Sequence, residues 1–412
     1  MNVLHARCCG LDVHKKTVVA CMRTQESGGP AKKTVRSFGT TTAELLALHA
    51  WLTEQQCSHV AMESTGVYWK PIFFVLEDGF DVALVNAQHI KAVPGRKTDV
   101  KDCEWIADLL AHGLVRKSFI PPPPTRVLRE LTRYRRSLTL DRVAEVNRIH
   151  KLLETANIKL ASVVSDVMGV TGRAILRALI AGQRDPKVLA QLAKGALCSK
   201  RDALAEAVLG RFDRNHGFLL AKMLDHVEYM ERTAAECDAQ IAELLRVDQD
   251  HVDNLMTIPG VGRRTAEIIL AEVGSDMSRF ETSAHLASWA RICPGNHESA
   301  GKRYSGSTGR GNNWLRTALV ECSWSVTRAK NTYLCAQFRR ISRRRGPKKA
   351  AFAVAHSILV AVYYILRDRV PYRELGADYF DRIGTTRLLK YHVRRLEELG
   401  LTVVVQPHAA AA

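Results

Sequence analysis

Although the chain holds ten cysteines, none are spaced as C-x-x-C, which excludes a zinc ribbon and a thioredoxin-like redox motif. Nothing near the N-terminus reads as a signal peptide, so a reduced, cytoplasmic, nucleoid-associated protein is expected. No apolar run reaches the ~20 residues of a membrane span. The nearest, Ala350 to Leu366, is 17 residues long and contains His356 and Ser357; it reads as a buried helix, and no membrane partner is expected. Acidic residues are almost missing from one stretch. Between Gly301 and Ala350 a single acid, Glu321, faces thirteen Lys and Arg, and this segment carries +12 of the net charge of +18. Charge concentrated in this way marks a polyanion-binding surface, because each neutralised phosphate releases counterions. What remains is ordinary: 46% hydrophobic and 25% charged residues exclude a largely disordered chain, and 412 residues imply two to four domains at ~100–200 residues each.

The first part alternates strand and helix signals. Arg7–Val13, Val18–Arg23 and Val35–Phe38 are β-rich, Thr42 to Gln55 has helical apolar spacing with Thr42 as N-cap, and His59–Met62 and Asp81–Val85 are further short strands. Three strands, a helix and more alternating strands is the order of a ribonuclease H-like α/β domain. Pro121–Pro124 can continue neither kind of element and marks a boundary. The pattern then becomes helical. Leu220, Met223, Val227, Met230, Ala234, Cys237, Ile241 and Leu244 form a strict heptad seam, read either as a coiled coil joining protomers or as an intramolecular hairpin. Val127 to Leu153 is similar but stutters near Asp141. Ile258-Pro259-Gly260-Val261-Gly262 before Arg263–Val273 has a helix–hairpin–helix pattern, in which glycines allow backbone to approach a phosphate. The residues from Asp381 hold a helix over Thr386–Leu399 and a β-rich TVVV.

Two groups of residues could carry chemistry. Asp12 and Glu63 end β-rich runs, while Asp99 and Asp102 are three apart at the start of a helix and so share a face. Four such carboxylates suit hard divalent cations, Mg²⁺ above all, and two ions can stabilise both the attacking and the leaving oxygen of a phosphodiester. Glu104 and Asp108 are rivals on the same helix, with Asp108 rotated off that face. The second group is Ser299 in PGNHESAGK, ahead of the basic, glycine-rich RYSGSTGRGNN. Residue types alone favour a phosphate-gripping loop there, with Ser305 and Ser307 as equal rivals to Ser299. No Ser/His/Asp triad can be assigned by spacing.

These motifs together resemble the insertion-sequence one-hundred-ten family of transposases, the DEDD recombinases related to the Piv invertase. Asp12 in GLDVHK, Glu63 in MESTGVYW, and Asp99 and Asp102 in KTDVKD match the family's four acids, and Ser299 matches its serine. The resemblance implies an RNase H/RuvC-like catalytic domain over 1–124 and a helical, coiled-coil region over 125–250. It further implies a mostly helical serine transposase domain over 251–380 with the helix–hairpin–helix-like motif, and a tail over 381–412. It implies Mg²⁺ (two ions, with Mn²⁺ as substitute), donor and target DNA, a noncoding bridge RNA that selects sequence by pairing, and a homotetramer. In that tetramer one protomer's acids meet another's serine. Lys302, Arg303, Arg310, Arg316, Arg343, Arg344 and Arg345 are the expected nucleic-acid contacts. Two other readings compete with a recombinase: a RuvC-like structure-specific nuclease using water, and a noncatalytic nucleic-acid scaffold.

Overall fold

The computed structural model describes residues 3–26, 29–64, 66–86, 102–294, 297–299, 301–305, 308–309 and 311–404. They form two compact units, Met1–Ile120 and Pro121–Ala412.

The first unit is built on five strands: β1 (Arg7–Val13), β2 (Thr17–Thr24), β3 (Lys32–Gly39), β4 (His59–Glu63) and β5 (Asp81–Val85). Their order is β3-β2-β1-β4-β5. The first three pair antiparallel, whereas β4 and β5 join parallel to β1. Successive side chains point to opposite faces. Leu11, Val13, Val60 and Met62 therefore enter a core with α1 (Thr42–Glu54) and α2 (Trp69–Leu76). Cys8, Ala61 and Ala83 meet α3 (Asp102–Ala111) on the other side. The N-cap of α1 is Thr41, one residue before the expected Thr42, and no side chain caps it. Glu44 instead reaches back to accept from the Gly39 amide at 3.1 Å.

Helix α3 lies directly on β1 because Gly10 has no side chain. A Cβ there would stand 2.2 Å from the Cys103 carbonyl oxygen and 2.5 Å from the Ala107 nitrogen, both backbone atoms. Gly10→Val should therefore lift α3 off the sheet and cost about 3 kcal/mol or more. Thermal unfolding checks this; an unchanged melting transition contradicts so close a packing.

The second unit is helical. Pro123 and Pro124 do not precede its first helix, as the proline run suggested, but open it: α4 spans Pro123–Thr155 with Pro122 as N-cap. A first-turn residue needs no intrahelical acceptor for its N–H, so proline fits there. Four short helices follow, α5 (Leu160–Val163), α6 (Val170–Ile180), α7 (Pro186–Gln191) and α8 (Arg201–Ala207), which share a core with the start of α9 (Arg214–Leu244). The heptad seam lies on α9, and its partner is α4 of the same chain. Leu220 and Val227 share a core with Ile149 and Leu153, Met230 and Cys237 with Leu138, and Ile241 with Leu128. The two helices are thus antiparallel, and most of the seam is buried within the chain, with Leu244 left exposed.

Beyond it come α10 (Gln249–Met256), α11 (Arg263–Val273), α12 (Ser283–Trp289), a hairpin of β6 (His297–Ser299) and β7 (Lys302–Ser305), α13 (Asn313–Val326), α14 (Tyr333–Arg345), α15 (Pro347–Asp368) and α16 (Tyr379–Glu398). Helix α15 is long and apolar enough to cross a membrane by length and composition, but 56% of its most apolar window is buried in the protein. Val354, Ile358, Leu359 and Val362 on it belong to the largest core. At the C-terminus α16 starts well before the expected Thr386, and residues 401–404 form no strand.

Candidate active site

The strand pairing brings Asp12 and Glu63 together. Strands β1 and β4 are parallel neighbours whose last register pair is Leu11 with Met62, so each acid stands one step further at the same end of the sheet. Period-two alternation puts Asp12 with Cys8 and Gly10, and Glu63 with Ala61, on the face covered by α3. Helix α3 runs against β1: the Cys8 thiol meets the Ala107 carbonyl, while the site of Gly10 meets Cys103. Its N-terminus, which begins with exposed Asp102, therefore lies toward the end of β1 that carries Asp12. Asp99 lies outside the described residues.

The acids nearby divide by their partners. Asp108 receives Arg23 Nε at 3.1 Å and Lys33 Nζ at 2.7 Å, and Glu104 stands 3.6 Å from Lys33. Those two are structural counter-ions. Among the described residues, the Asp12 carboxylate meets only the His14 imidazole, at 3.2 Å, and no ion pair is made by Glu63. His14 was missed by the sequence reading; its place two residues after Asp12, in GLDVHK, was the available signal. Further back on the same face of β1, burial raises the Cys8 thiol to about 11. Among the described residues no three His, Cys, Asp or Glu side chains are grouped closely enough to hold a metal ion. Asp12, Glu63 and Asp102 are the described carboxylates toward this end of the sheet, oxygen donors of the kind a hard divalent cation takes.

Ser299 ends β6, paired with Lys302 where the hairpin closes. Gly301 has φ of +73°, a conformation glycine adopts without strain. Where the residue types suggest a loop, the structure forms a hairpin. The side chains of Ser299, Arg303 and Ser305, and residues Ser307 and Arg310, lie outside the described part, and Lys302 is exposed. Arg316 on α13 points its guanidinium at the Gly309 carbonyl, 3.5 Å away, and over the Phe352 ring at 4.9 Å. Arg343, Arg344 and Arg345 are the last turn of α14, where cations complement the helix dipole. Of the two glycines expected to approach a phosphate near α11, Gly262 has open space where a Cβ would stand, and Gly260 is used otherwise. A Cβ on Gly260 would come within 2.8 Å of the Cys322 carbonyl and of Val326, so this glycine seats the turn on α13.

A buried carboxylate holds the end of the glycine-rich return. Glu272 has no solvent exposure; it accepts from Arg133 at 2.7 and 2.9 Å and from Asn312 Nδ2 at 2.6 Å, and stands 3.2 Å from Arg129 Nε. Asn312 in turn caps α13, accepting from Trp314 and Leu315 amides at 3.1 Å. Removing one partner of a buried ion pair strands the other charge. Glu272→Ala should cost about 3–5 kcal/mol, measured by denaturant unfolding; a loss under about 1 kcal/mol would show the network to be dispensable.

Two family models match the chain in order: a DEDD transposase model over residues 9–158 and a model described as transposase IS116/IS110/IS902 family over residues 252–338. The pilin gene-inverting protein of Moraxella bovis is 27% identical over 154 residues, 36% of this chain and 48% of that protein. Its counterpart in Moraxella lacunata is 26% identical over the same extent, so the chain spans about half the length of these relatives. The transposase for insertion sequence element IS1328 of Yersinia enterocolitica is 24% identical over 268 residues, 64% of this chain and 69% of that protein. With two models of one family covering more than half of its length, the chain belongs to the IS110 family of transposases.

Proposed function

We propose that the protein is a DNA recombinase that cuts and rejoins strands for a mobile element, with the carboxylate corner and the Ser299 hairpin as the two halves of its chemistry. The observation that carries this reading is the pairing of β1 with β4. It sets Asp12 and Glu63, neither with a lysine or arginine partner among the described residues, side by side at one sheet end on the face covered by α3. Such an α/β unit is compatible with a RuvC-like domain. Asp12, Glu63, Asp99 and Asp102 would hold Mg²⁺, as two ions, or Mn²⁺ in its place. Bound there, the metal supplies Lewis-acid polarisation of the scissile phosphate.

Ser299 is the nucleophile. Its oxygen bonds phosphorus as the phosphorus–3′-oxygen bond breaks, and the proton lost by serine balances the one gained by the leaving 3′-oxygen. The phosphoserine link keeps the energy of the phosphodiester, so another 3′-hydroxyl can reverse the attack without ATP. Water as nucleophile gives no such return. Lys302, Arg303, Arg310, Arg316 and Arg343 to Arg345 grip phosphates, and a bridge RNA selects donor and target by pairing while protein reads backbone. The acids and the serine belong to separate compact units, which suits a tetramer that completes each site across protomers. The test mixes wild-type protein, guide RNA, Mg²⁺ and junction-bearing plasmid, and stops the reaction with detergent. Protein covalently attached to DNA supports the reading; cleavage with no adduct makes the enzyme a hydrolytic nuclease.

A further inference from the structure

A cavity of about 790 Å³ opens at the root of the Ser299 hairpin, lined by Pro294 and Thr308 from the two flanks of that segment. Its size is within the ~300–1,000 Å³ of small-ligand sites. Arg316 lies over Phe352 at 4.9 Å on its wall, an arrangement of guanidinium and ring on which a flat aromatic group can stack. His356 is half-buried beside them, and burial lowers its pKa, so the imidazole adds no positive charge to that of Arg316 near neutral pH. The same wall holds Gln337, whose amide nitrogen donates to Ser357 Oγ at 2.9 Å. Its Oε1 is buried with no hydrogen-bond partner among the described residues, an acceptor that a small side-chain rotation would offer to a donor in the cavity.

The charge is placed differently. Lys348 and Lys349 line the cavity from the first turn of α15, where Pro347 starts the helix and no side chain among the described residues caps it. Backbone N–H groups of a first turn have no intrahelical acceptor, and two lysines beside them make an anion-binding edge. A stacking wall with a spare acceptor, next to a cationic edge, matches one chemical class: a nucleotide, with its base inside and its phosphate outside.

We propose that this cavity takes a single unstacked base from the strand that passes the Ser299 hairpin, with Phe352 and Arg316 stacking it and Lys348 and Lys349 holding its phosphate. The inference rests on the reading of the protein as a nucleic-acid enzyme and adds a subsite to it. An everted base would anchor the strand by one nucleotide, so that the adjacent phosphodiester is presented in a set register. Eversion is least costly where the strand is already unpaired, which ties the site to opened or single-stranded nucleic acid and disfavours intact duplex.

The experiment measures affinity of the full-length protein for short single strands carrying one base among abasic residues, against the same strands wholly abasic. Deoxyribose and ribose versions distinguish DNA from RNA as the source of the nucleotide. The base should add about tenfold in affinity for the wild type. Phe352→Leu keeps apolar volume and should erase that difference without weakening the abasic strand, while Phe352→Trp should restore it. Lys348→Gln should weaken both strands alike and reduce the salt dependence by about one ion. Binding of both strands with no base-dependent difference in either sugar overturns the cavity site alone. No binding of any strand overturns the nucleic-acid reading as well.

Discussion

Ser299→Ala should abolish both the covalent adduct and the recombinant product, a loss of at least about 10³-fold against wild type, while guide RNA and DNA still bind. The substitution removes one oxygen from a residue whose place in the hairpin rests on backbone pairing with Lys302, so the strand should remain. No other group can substitute without penalty: water can cut, but it cannot store the bond for rejoining. The measurement is a denaturing gel with labelled DNA, followed by mass mapping of any adduct. An adduct that survives and maps to Ser305 or Ser307 makes one of those the nucleophile. Recombination by the wild type with no trappable adduct removes the serine mechanism altogether.

The second large effect is expected at Asp12. Asp12→Asn keeps size and hydrogen bonding but removes the charge that a divalent ion requires, so cleavage should fall by about 10³-fold or more, with binding of nucleic acid retained. Asp108→Asn is the internal control. Its carboxylate already answers Arg23 and Lys33, and Arg23 is only 5% exposed. That variant should lose stability and keep its cleavage rate at saturating Mg²⁺. If Asp108→Asn proves dead and Asp12→Asn active, the carboxylates have been assigned to the wrong side of α3. Mg²⁺ titration adds a second readout: weakened metal dependence is expected for Asp12→Asn and Glu63→Gln, and none for Asp108→Asn.

Much of the carboxylate corner was legible from local chemistry. Arg7–Val13 and Asp81–Val85 are strands at the bounds the residue pattern suggests, because β-branched and apolar runs between turn residues have few alternatives. Asp12 and Glu63 stand out as acids ending such runs. The basic stretch is equally a matter of counting. The proline run misled in one respect: a breaker inside a helix is a good starter at its first turn, and only the chain geometry distinguishes them. The Ser299 hairpin was read as a loop, since three- and four-residue strands carry too little pattern to register.

By itself, then, the amino-acid sequence determined which residue types are chemically able to act, where the positive charge lies, and which of the strongly patterned segments are strand or helix. These follow from side-chain type and periodicity, which are local properties. Tertiary structure alone decided what meets what. The parallel pairing of β1 with β4 placed two distant acids at one sheet end. Arg23 and Lys33 took Asp108 out of contention. The heptad seam of α9 found its partner in α4 of the same chain, and Phe352 came under Arg316 to wall a cavity. Each of these depends on register and on which apolar faces bury against each other, and burial couples residues far apart in the chain, so no local pattern can reveal it.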